Sequence, residues 1–188
     1  PAELKKYIGQ FTGEMDWMQL LDQFNAINYR GKYDGTIRDF SVEGTLRLDE
    51  NLLVLDGTMK GFDNLRTTSY YGTLEARPVN LGKFFSQPQL GMAAFKTRVN
   101  GRGLTTETLN NKISAEVSYL DAYNYRYTNL QLNGTVSEQR FEGIATLRDP
   151  NAGLDFDGEI DFSQDSIQVD FRAKFTDVEL NKIGFSED

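Results

Sequence analysis

Four acidic residues alternate with apolar residues and a glycine in the last third of the chain: Asp155, Asp157, Glu159 and Asp161. In a β-strand this spacing places all four carboxylates on one face. An EF-hand calcium loop is not indicated, because a spacing that begins at Asp149 has Leu154 where that loop needs glycine. A glycosidase pair requires an apolar pocket that raises the pKa of one carboxyl group, and a polar strand face offers none. We therefore predict a solvated acidic face.

Three further groups have spacings that could serve binding. Gly101-Arg102-Gly103 matches the start of a dinucleotide-binding loop but lacks the third glycine and a following helix. Alternating tyrosines could stack on a sugar or pack across neighbouring strands: Tyr123, Tyr125 and Tyr127. Alternating cations could meet lipid headgroups or acidic partners, or remain in solvent: Lys96, Arg98 and Arg102. The dinucleotide signal is weak and we discard it. Cross-strand packing is the simpler interpretation of the tyrosines, and solvation is the simpler interpretation of the cations.

The residues on which most enzymes rely are missing. The chain has no His and no Cys, which excludes His- or Cys-ligated metals, thiol nucleophiles and His general bases. We expect no enzymatic activity, no metal and no cofactor. A net charge of -8 argues against nucleic acid as a partner, and no apolar run approaches the roughly 20 residues that cross a bilayer. The sequence begins Pro1-Ala2 without an initiator Met or a signal peptide, so we expect a segment excised from a longer protein.

Apolar residues recur with period two in runs about 12 residues apart, which predicts a mainly β protein built as an antiparallel meander. One face of each run is apolar and the other is polar. The predicted apolar face comprises Phe40, Val42, Leu46, Leu48, Leu53, Leu55, Ile113, Val117, Leu130, Leu132, Val136, Phe141, Leu147, Leu154, Phe156, Ile160, Phe162, Val169 and Phe171.

Two stretches break this period and predict short amphipathic helices. Asp16 is placed to cap the first helix and Asn80 to cap a shorter second one. Their apolar faces are Trp17, Leu20, Leu21 and Phe24 in the first, and Leu81, Phe84 and Phe85 in the second. We therefore expect a single domain with two blocks, each a helix plus strands, at residues 14–76 and 80–175.

Five glycines fall in phase with the apolar residues of these runs: Gly44, Gly57, Gly134, Gly143 and Gly158. Glycine weakens a strand and has no side chain to pack, so its repetition on one face needs a physical reason. Either the sheet curls sharply about a seam of glycines, or the seam opens a notch on the apolar face. We predict a long curled antiparallel sheet whose concave face is apolar, which satisfies both interpretations.

The order of several short motifs resembles the AsmA-like superfamily, in particular the C-terminal region of the TamB family of translocation and assembly module subunits from Bacteroidetes. The motifs are YRGKYDG at 29–35, DF at 39–40, GTL at 44–46, VNLGKFF at 79–85, LG at 90–91, VNGRGL at 99–104, YNY at 123–125, NLQLNG at 129–134, FEG at 141–143 and DPN at 149–151. They span nearly the whole chain. The family usually has Asp at the position of Asn80, a difference that affects only the predicted helix cap.

This resemblance implies a taco-shaped sheet that encloses a hydrophobic groove, as in bridge-like lipid-transfer proteins. It implies a periplasmic segment of an envelope-spanning protein that is anchored in the inner membrane outside this segment. The implied function is to carry phospholipid acyl chains along the groove and to support outer-membrane biogenesis, with an outer-membrane barrel as assembly partner of the full-length protein. The family supplies no catalytic residues.

Two other functions fit the same pattern. An open sheet edge could template strands of nascent outer-membrane barrel proteins. A secreted β-sandwich could instead bind carbohydrate through the alternating tyrosines.

Overall fold

The computed structural model of the protein describes residues 24–85, 88–105, 107–161 and 168–183. These residues form one antiparallel sheet of ten strands, in which each strand pairs with the next along the chain. The predicted meander is therefore confirmed. The helix predicted after Asp16 and the predicted face residue Phe162 lie outside the described residues.

The strands alternate aromatic or β-branched residues with polar ones, a pattern that suits a pleated, half-buried surface. They are Ile27–Gly35 (β1), Phe40–Leu48 (β2), Asn51–Lys60 (β3), Ser69–Asn80 (β4), Leu90–Arg102 (β5), Asn110–Ala122 (β6), Tyr125–Ser137 (β7), Arg140–Asp149 (β8), Ala152–Asp161 (β9) and Gln168–Thr176 (β10). One sheet thus continues across residues 76–80, where the sequence suggests that a second block begins.

The turns after β6 and β7 are two-residue hairpin loops. Tyr123 and Asn124 form the first, Glu138 and Gln139 form the second, and all four residues have φ between 48° and 62°. Two successive left-handed residues suit a two-residue hairpin because their twist matches that of the strands. Only Asn124 is of a residue type that adopts this conformation readily. The turn after β7 is therefore a place where the chain carries local strain.

The helix α1 (Leu81–Phe85) is the only helix in the described residues and connects β4 to β5. Asn80 Oδ1 accepts a hydrogen bond from the backbone N–H of Lys83 at 3.0 Å, which is the cap that the sequence predicts. The backbone N–H of Asn80 donates to Oδ1 of fully buried Asn51 at 2.7 Å. Asn51 Nδ2 in turn donates to the carbonyl of Leu48 at 2.8 Å. These bonds attach α1 to the turn between β2 and β3.

Irregular pairings cross the central strands near one end of the sheet. The register shifts between Ala76 and Val79 of β4 and between Ala94 and Phe95 of β5. In β7, Asn129 has a φ of 54° at the matching level. Because bulges bend a strand and increase its twist, the sheet changes direction along this line.

Buried side chains lie mainly toward the two ends of the strands. One end contains Leu48, Val79 and Ala93, and the other contains Leu65 and Phe141. Between these ends most side chains are half-buried. This distribution follows from the architecture, since the described residues form a single sheet with no second sheet packed against it.

Candidate functional site

The pairing register decides which side chains share a face, because directly opposed residues of an antiparallel pair lie on the same side. One residue from each strand contributes to a row that crosses the whole sheet, and we call it the leucine row. Its members are Tyr29, Leu46, Leu53, Ala76, Phe95, Val117, Leu130, Leu147, Leu154 and Phe175. Apart from the hydroxyl of Tyr29, the row contains no polar side-chain group.

Three further rows lie on the same face, which we call the row face. The middle row is Gly31, Gly44, Leu55, Leu74, Thr97, Ala115, Leu132, Ala145, Phe156 and Ala173. The glycine row is Tyr33, Val42, Gly57, Gly72, Val99, Ile113, Gly134, Gly143, Gly158 and Phe171. The outer row is Gly35, Phe40, Met59, Tyr70, Gly101, Asn111, Val136, Phe141, Ile160 and Val169.

Two small polar side chains interrupt these rows: Thr97 and Asn111. Both are buried. Thr97 Oγ1 donates to the carbonyl of Ser114 at 3.2 Å, whereas Asn111 Oδ1 has no hydrogen-bond partner among the described residues. Burial also raises the pKa of the nearby Tyr70 hydroxyl. The accessible part of the row face is therefore predominantly apolar.

The opposite face of the sheet is charged. Arg140 lies 3.1 Å from a carboxylate oxygen of Glu159 and 3.1 Å from one of Asp161, and Arg148 pairs with Asp155. The predicted cations also lie on this face: Lys96, Arg98 and Arg102. In the described ranges no group of carboxylates is arranged to hold a metal ion. Three of the four acidic residues of β9 thus pair with arginines on this face: Asp155, Glu159 and Asp161.

The glycines of the row face oppose one another in pairs. Gly57 lies opposite Gly72, and Gly143 lies between Gly134 and Gly158. A Cβ atom added to Gly143 would lie 2.6 Å from the Cα of Gly134, and one added to Gly72 would lie 2.6 Å from the Cα of Gly57. Cβ atoms in proteins essentially never lie within 3.0 Å of another heavy atom of this kind. The backbones therefore approach more closely on the row face than side chains would allow.

Aromatic residues occupy the space beside several of these glycines. A Cβ on Gly134 would lie 2.6 Å from Cε2 of Phe141, and one on Gly143 would lie 3.0 Å from Cζ of the same ring. A Cβ on Gly158 would lie 2.5 Å from the Cβ of Phe171. The expectation of an open notch is therefore wrong at these three glycines, where a ring or a strand fills the space.

An open notch does exist at the Gly57 and Gly72 pair. A Cβ on Gly57 would meet the carbonyl oxygen of Tyr71 at 3.0 Å and the Cα of Gly72 only at 3.5 Å. A hollow of about 180 Å³ lies over the pair, and its walls include Val42, Leu55, Met59, Tyr70 and Leu74. The two halves of the glycine row thus differ, since one is covered and the other is open.

A larger apolar hollow of about 640 Å³ lies where the leucine row reaches β8–β10. Its lining includes Tyr127, Leu147, Leu154, Phe175, Val178 and Ile183. Residues 177–183 cover it, anchored by a 3.0 Å hydrogen bond from the N–H of Glu179 to the carbonyl of Asn151. Its size lies within the range of about 300–1,000 Å³ that is typical of small-molecule pockets.

A polar cluster stabilises the turn beside this hollow. Asp149 accepts hydrogen bonds from the Tyr125 hydroxyl, from the N–H and hydroxyl of Thr128 at 3.0 and 2.9 Å, and from the N–H of Asn151 at 2.9 Å. Burial raises the pKa of Asp149, but these four donors outweigh it and hold the pKa below its usual value. The bond to Asp149 raises the pKa of Tyr125. Asn151 Nδ2 also donates to the Tyr125 hydroxyl at 2.9 Å, which completes the cluster.

Lys83 of α1 organises the end of the sheet at the turn between β2 and β3. Its Nζ lies 2.8 Å from Asp49 Oδ2 and 4.7 Å from the ring centre of Phe24. Phe24 also packs on Phe84, with ring centres 5.1 Å apart. The hydrogen bond from Lys83, together with the N–H of Ala26, lowers the pKa of Asp49. This arrangement joins the chain before β1 to α1.

All of the described residues predicted for the apolar face lie on the row face. Leu48 lies just beyond the leucine row, opposite Asn51. The sequence prediction missed the contributions of β1, β4 and β5: Tyr29, Tyr33, Tyr70, Leu74, Phe95 and Val99. In β5 the signal was available, because Phe95 and Val99 alternate with the charged residues between them. In β4 the signal was also available, because Tyr70, Leu74 and Ala76 keep one period before the bulge that follows Ala76.

The three alternating tyrosines do not form one aromatic row. Tyr123 lies in the turn before β7 with a φ of 51°, and only Tyr125 and Tyr127 belong to the strand. Their rings meet edge to face, at 72° with centres 4.8 Å apart. Tyr127 lines the larger hollow, so these two rings contribute to packing at that end of the sheet.

The chain matches no protein-family model, no curated protein and no solved structure. Among the described residues there is no helix long and apolar enough to cross a membrane. What the chain does must therefore be inferred from the rows and hollows themselves.

Proposed function

We propose that this chain is a non-catalytic segment that carries phospholipid acyl chains along the row face. The observation that supports this most directly is the leucine row, which crosses all ten strands without an accessible charged or amide group. Strands about 4.8 Å apart make such a row roughly 43 Å long. An acyl chain lying along it would contact hydrocarbon throughout its length.

The energetic reason is the cost of exposing an acyl chain to water. At about 0.8 kcal/mol per CH₂, a chain of ~16 carbons costs on the order of 13 kcal/mol when fully exposed. A half-buried apolar row removes a large part of that cost. The buried positions of Thr97 and Asn111 leave few polar groups to hold a lipid at one point, so the chain can slide.

A groove also requires the sheet to curl toward the row face, so that this face becomes its apolar concave side. The close approach at the glycine pairs supports such a curl, because side chains converge on the concave side of a bent sheet and glycine relieves that crowding. Gly72 and Gly143 are two of the row-face positions at which an added Cβ would meet the opposing backbone. The register shifts of β4 and β5 supply a further bend.

The wider role rests on the resemblance to the AsmA-like superfamily. In this proposal the groove is a periplasmic segment of an envelope protein that is anchored in the inner membrane elsewhere in its sequence. The full-length protein would move phospholipid toward the outer membrane and support the assembly of outer-membrane proteins together with a barrel partner.

The experiment is phospholipid binding by the delipidated protein, measured by native mass spectrometry. Leu132 lies in the middle row between Ala115 and Ala145, so Leu132→Asp places a charge where small neighbours leave it accessible. Asn133→Asp is the matched control, because it adds the same charge to the opposite face of the same strand and keeps the oxygen that accepts from Ser114. We expect Leu132→Asp to reduce binding at least tenfold and Asn133→Asp to leave it unchanged.

A second variant separates the effect of charge from that of shape. Ala145→Trp fills the same part of the middle row without adding a charge and should also reduce binding. Circular dichroism confirms that each variant retains the sheet. Equal lipid binding by wild type, Leu132→Asp and Ala145→Trp would rule out the row face as the lipid path.

A further inference from the structure

The strand β10 is one of the two edges of the described sheet, the other being β1. Its row-face side chains are unusually exposed for apolar residues: Val169 is 54% exposed, Phe171 47% and Phe175 66%. An edge strand with exposed apolar side chains and unpaired backbone groups is a template for another strand. The identity of that strand depends on the charges of the opposite face.

Charged side chains alternate on the other face of both edges. β10 presents Asp170, Arg172 and Lys174, and β1 presents Arg30, Lys32 and Asp34. Lys32, Arg172 and Lys174 lie opposite Glu43, Asp157 and Asp155 of the neighbouring strands. In the described part of the chain, none of the six edge residues forms an ion pair within 4.0 Å. Opposite charges directly across a strand pair stabilise it, and like charges destabilise it.

Head-to-tail growth of the sheet is disfavoured by these charges. If β1 of a second copy paired with β10 and continued the four rows, Asp170 would face Asp34. Arg172 would face Lys32, and Lys174 would face Arg30. All three pairs are of like charge, so the edges oppose extension of the rows from one copy into the next.

We propose that two copies of this chain pair through β10, antiparallel and centred on Phe171. In this register Phe171 faces Phe171 of the second copy, and Asp170 faces Arg172 of the second copy. Symmetry repeats the ion pair, so two oppositely charged pairs flank an aromatic pair. The row faces of the two copies then lie on the same side of a joint sheet.

Other self-pairings are less favourable. Centring the pair on Arg172 places the two guanidinium groups opposite each other. A β1 pair centred on Tyr33 would match charge equally well, with Lys32 facing Asp34. It would place Gly31 opposite Gly35 on the row face, however, where they contribute no side-chain contact. The β10 pair centred on Phe171 combines favourable charge with apolar contact. The proposed β10 dimer interface is independent of the proposed lipid binding, so either proposal can fail without the other.

Charge reversal tests the interface on the full chain. Sedimentation velocity and native mass spectrometry over a dilution series should show a monomer–dimer equilibrium for the wild type. D170K and R172D should each raise the dimer Kd on the order of tenfold, because each turns two attractive pairs into repulsive ones. Mixing D170K with R172D should restore dimers of mixed composition, since every changed charge then faces its opposite. R172D also places a second carboxylate opposite Asp157 of β9. R172Q removes the positive charge without adding this repulsion.

The matched controls are D34K and R30D, which make the same charge changes at the β1 edge. Both should dimerise like the wild type. A wild type that is monomeric up to its highest soluble concentration would overturn the proposal. Dissociation by D34K would assign the interface to β1, and full dimerisation of R172D would overturn the register centred on Phe171.

Discussion

Alanine substitutions in the glycine row should separate tight from open positions on one face of one sheet. Gly57 and Gly72 lie directly opposite each other, yet the space beside them differs. A Cβ on Gly72 would lie 2.6 Å from the Cα of Gly57, whereas a Cβ on Gly57 would lie 3.5 Å from the Cα of Gly72. We expect Gly72→Ala to destabilise the protein and Gly57→Ala to have little effect.

The magnitudes follow from these contacts. At Gly72 the obstacle is backbone, which cannot rotate away, so the overpacking cost is about 1–3 kcal/mol. Gly143→Ala should cost a similar amount, because its Cβ would meet the Cα of Gly134 at 2.6 Å. At Gly57 the nearest atom is the carbonyl oxygen of Tyr71 at 3.0 Å. The small strain there is offset by about 0.4–1 kcal/mol gained from a less flexible unfolded chain.

Equilibrium urea unfolding followed by circular dichroism measures these differences as changes in the free energy of unfolding. A loss of 2 kcal/mol corresponds to a decrease in Tm of roughly 4–8 °C for a chain of this size. Unchanged m-values would show that the variants share one native sheet. Equal losses for Gly57→Ala and Gly72→Ala would refute the reasoning, because the strand approach would then not determine where glycine is required.

Two further predictions concern the turns. Because its pKa is lowered in the folded protein, Asp149 contributes stability that is complete above its unfolded pKa of about 3.9 and is lost as the pH falls below it. Asp149→Asn should cost about 1–2 kcal/mol at pH 7 and reduce the loss of stability that occurs below about pH 4. Urea unfolding at several pH values measures both effects. Replacing Glu138-Gln139 by Asn-Gly should raise the free energy of unfolding by about 1 kcal/mol, because both residues have positive φ. The same change at Pro150-Asn151, where neither residue has a positive φ, should lower the free energy of unfolding, as measured by thermal unfolding, because it also removes the Asn151 amide that donates to the Tyr125 hydroxyl at 2.9 Å.

The strands whose period was uninterrupted could be recognised from the sequence alone. In β8 and β9 the alternation of Phe141, Ala145 and Leu147 and of Leu154, Phe156 and Ile160 assigns both the strand and the face. Such alternation is a local property, set by the pleat of a single strand. In β4 the bulge comes after Ala76, so it changes the phase only of the residues that follow. A local pattern cannot anticipate this change, because a bulge depends on the neighbouring strand.

The face on which each glycine lies could likewise be predicted from the sequence, but the atoms that surround it could not. Counting along the strand places Gly57 and Gly143 on the apolar side in the same way. Only the structure distinguishes the open hollow over Gly57 from the Phe141 ring beside Gly143. That ring belongs to a residue two positions away in the chain, and its direction depends on packing across β7.

The sequence by itself determined that the chain forms strands, that they pair in order, and that one face is apolar while the other is charged. These properties follow from period-two alternation and short turns, which act over a few residues. The tertiary structure alone decided which residues oppose one another, and hence the four rows, the glycine pairs, the two hollows and the charges presented at each edge. Register depends on the sum of turn geometry, bulges and side-chain contacts over several strands, and no single stretch of sequence contains that sum.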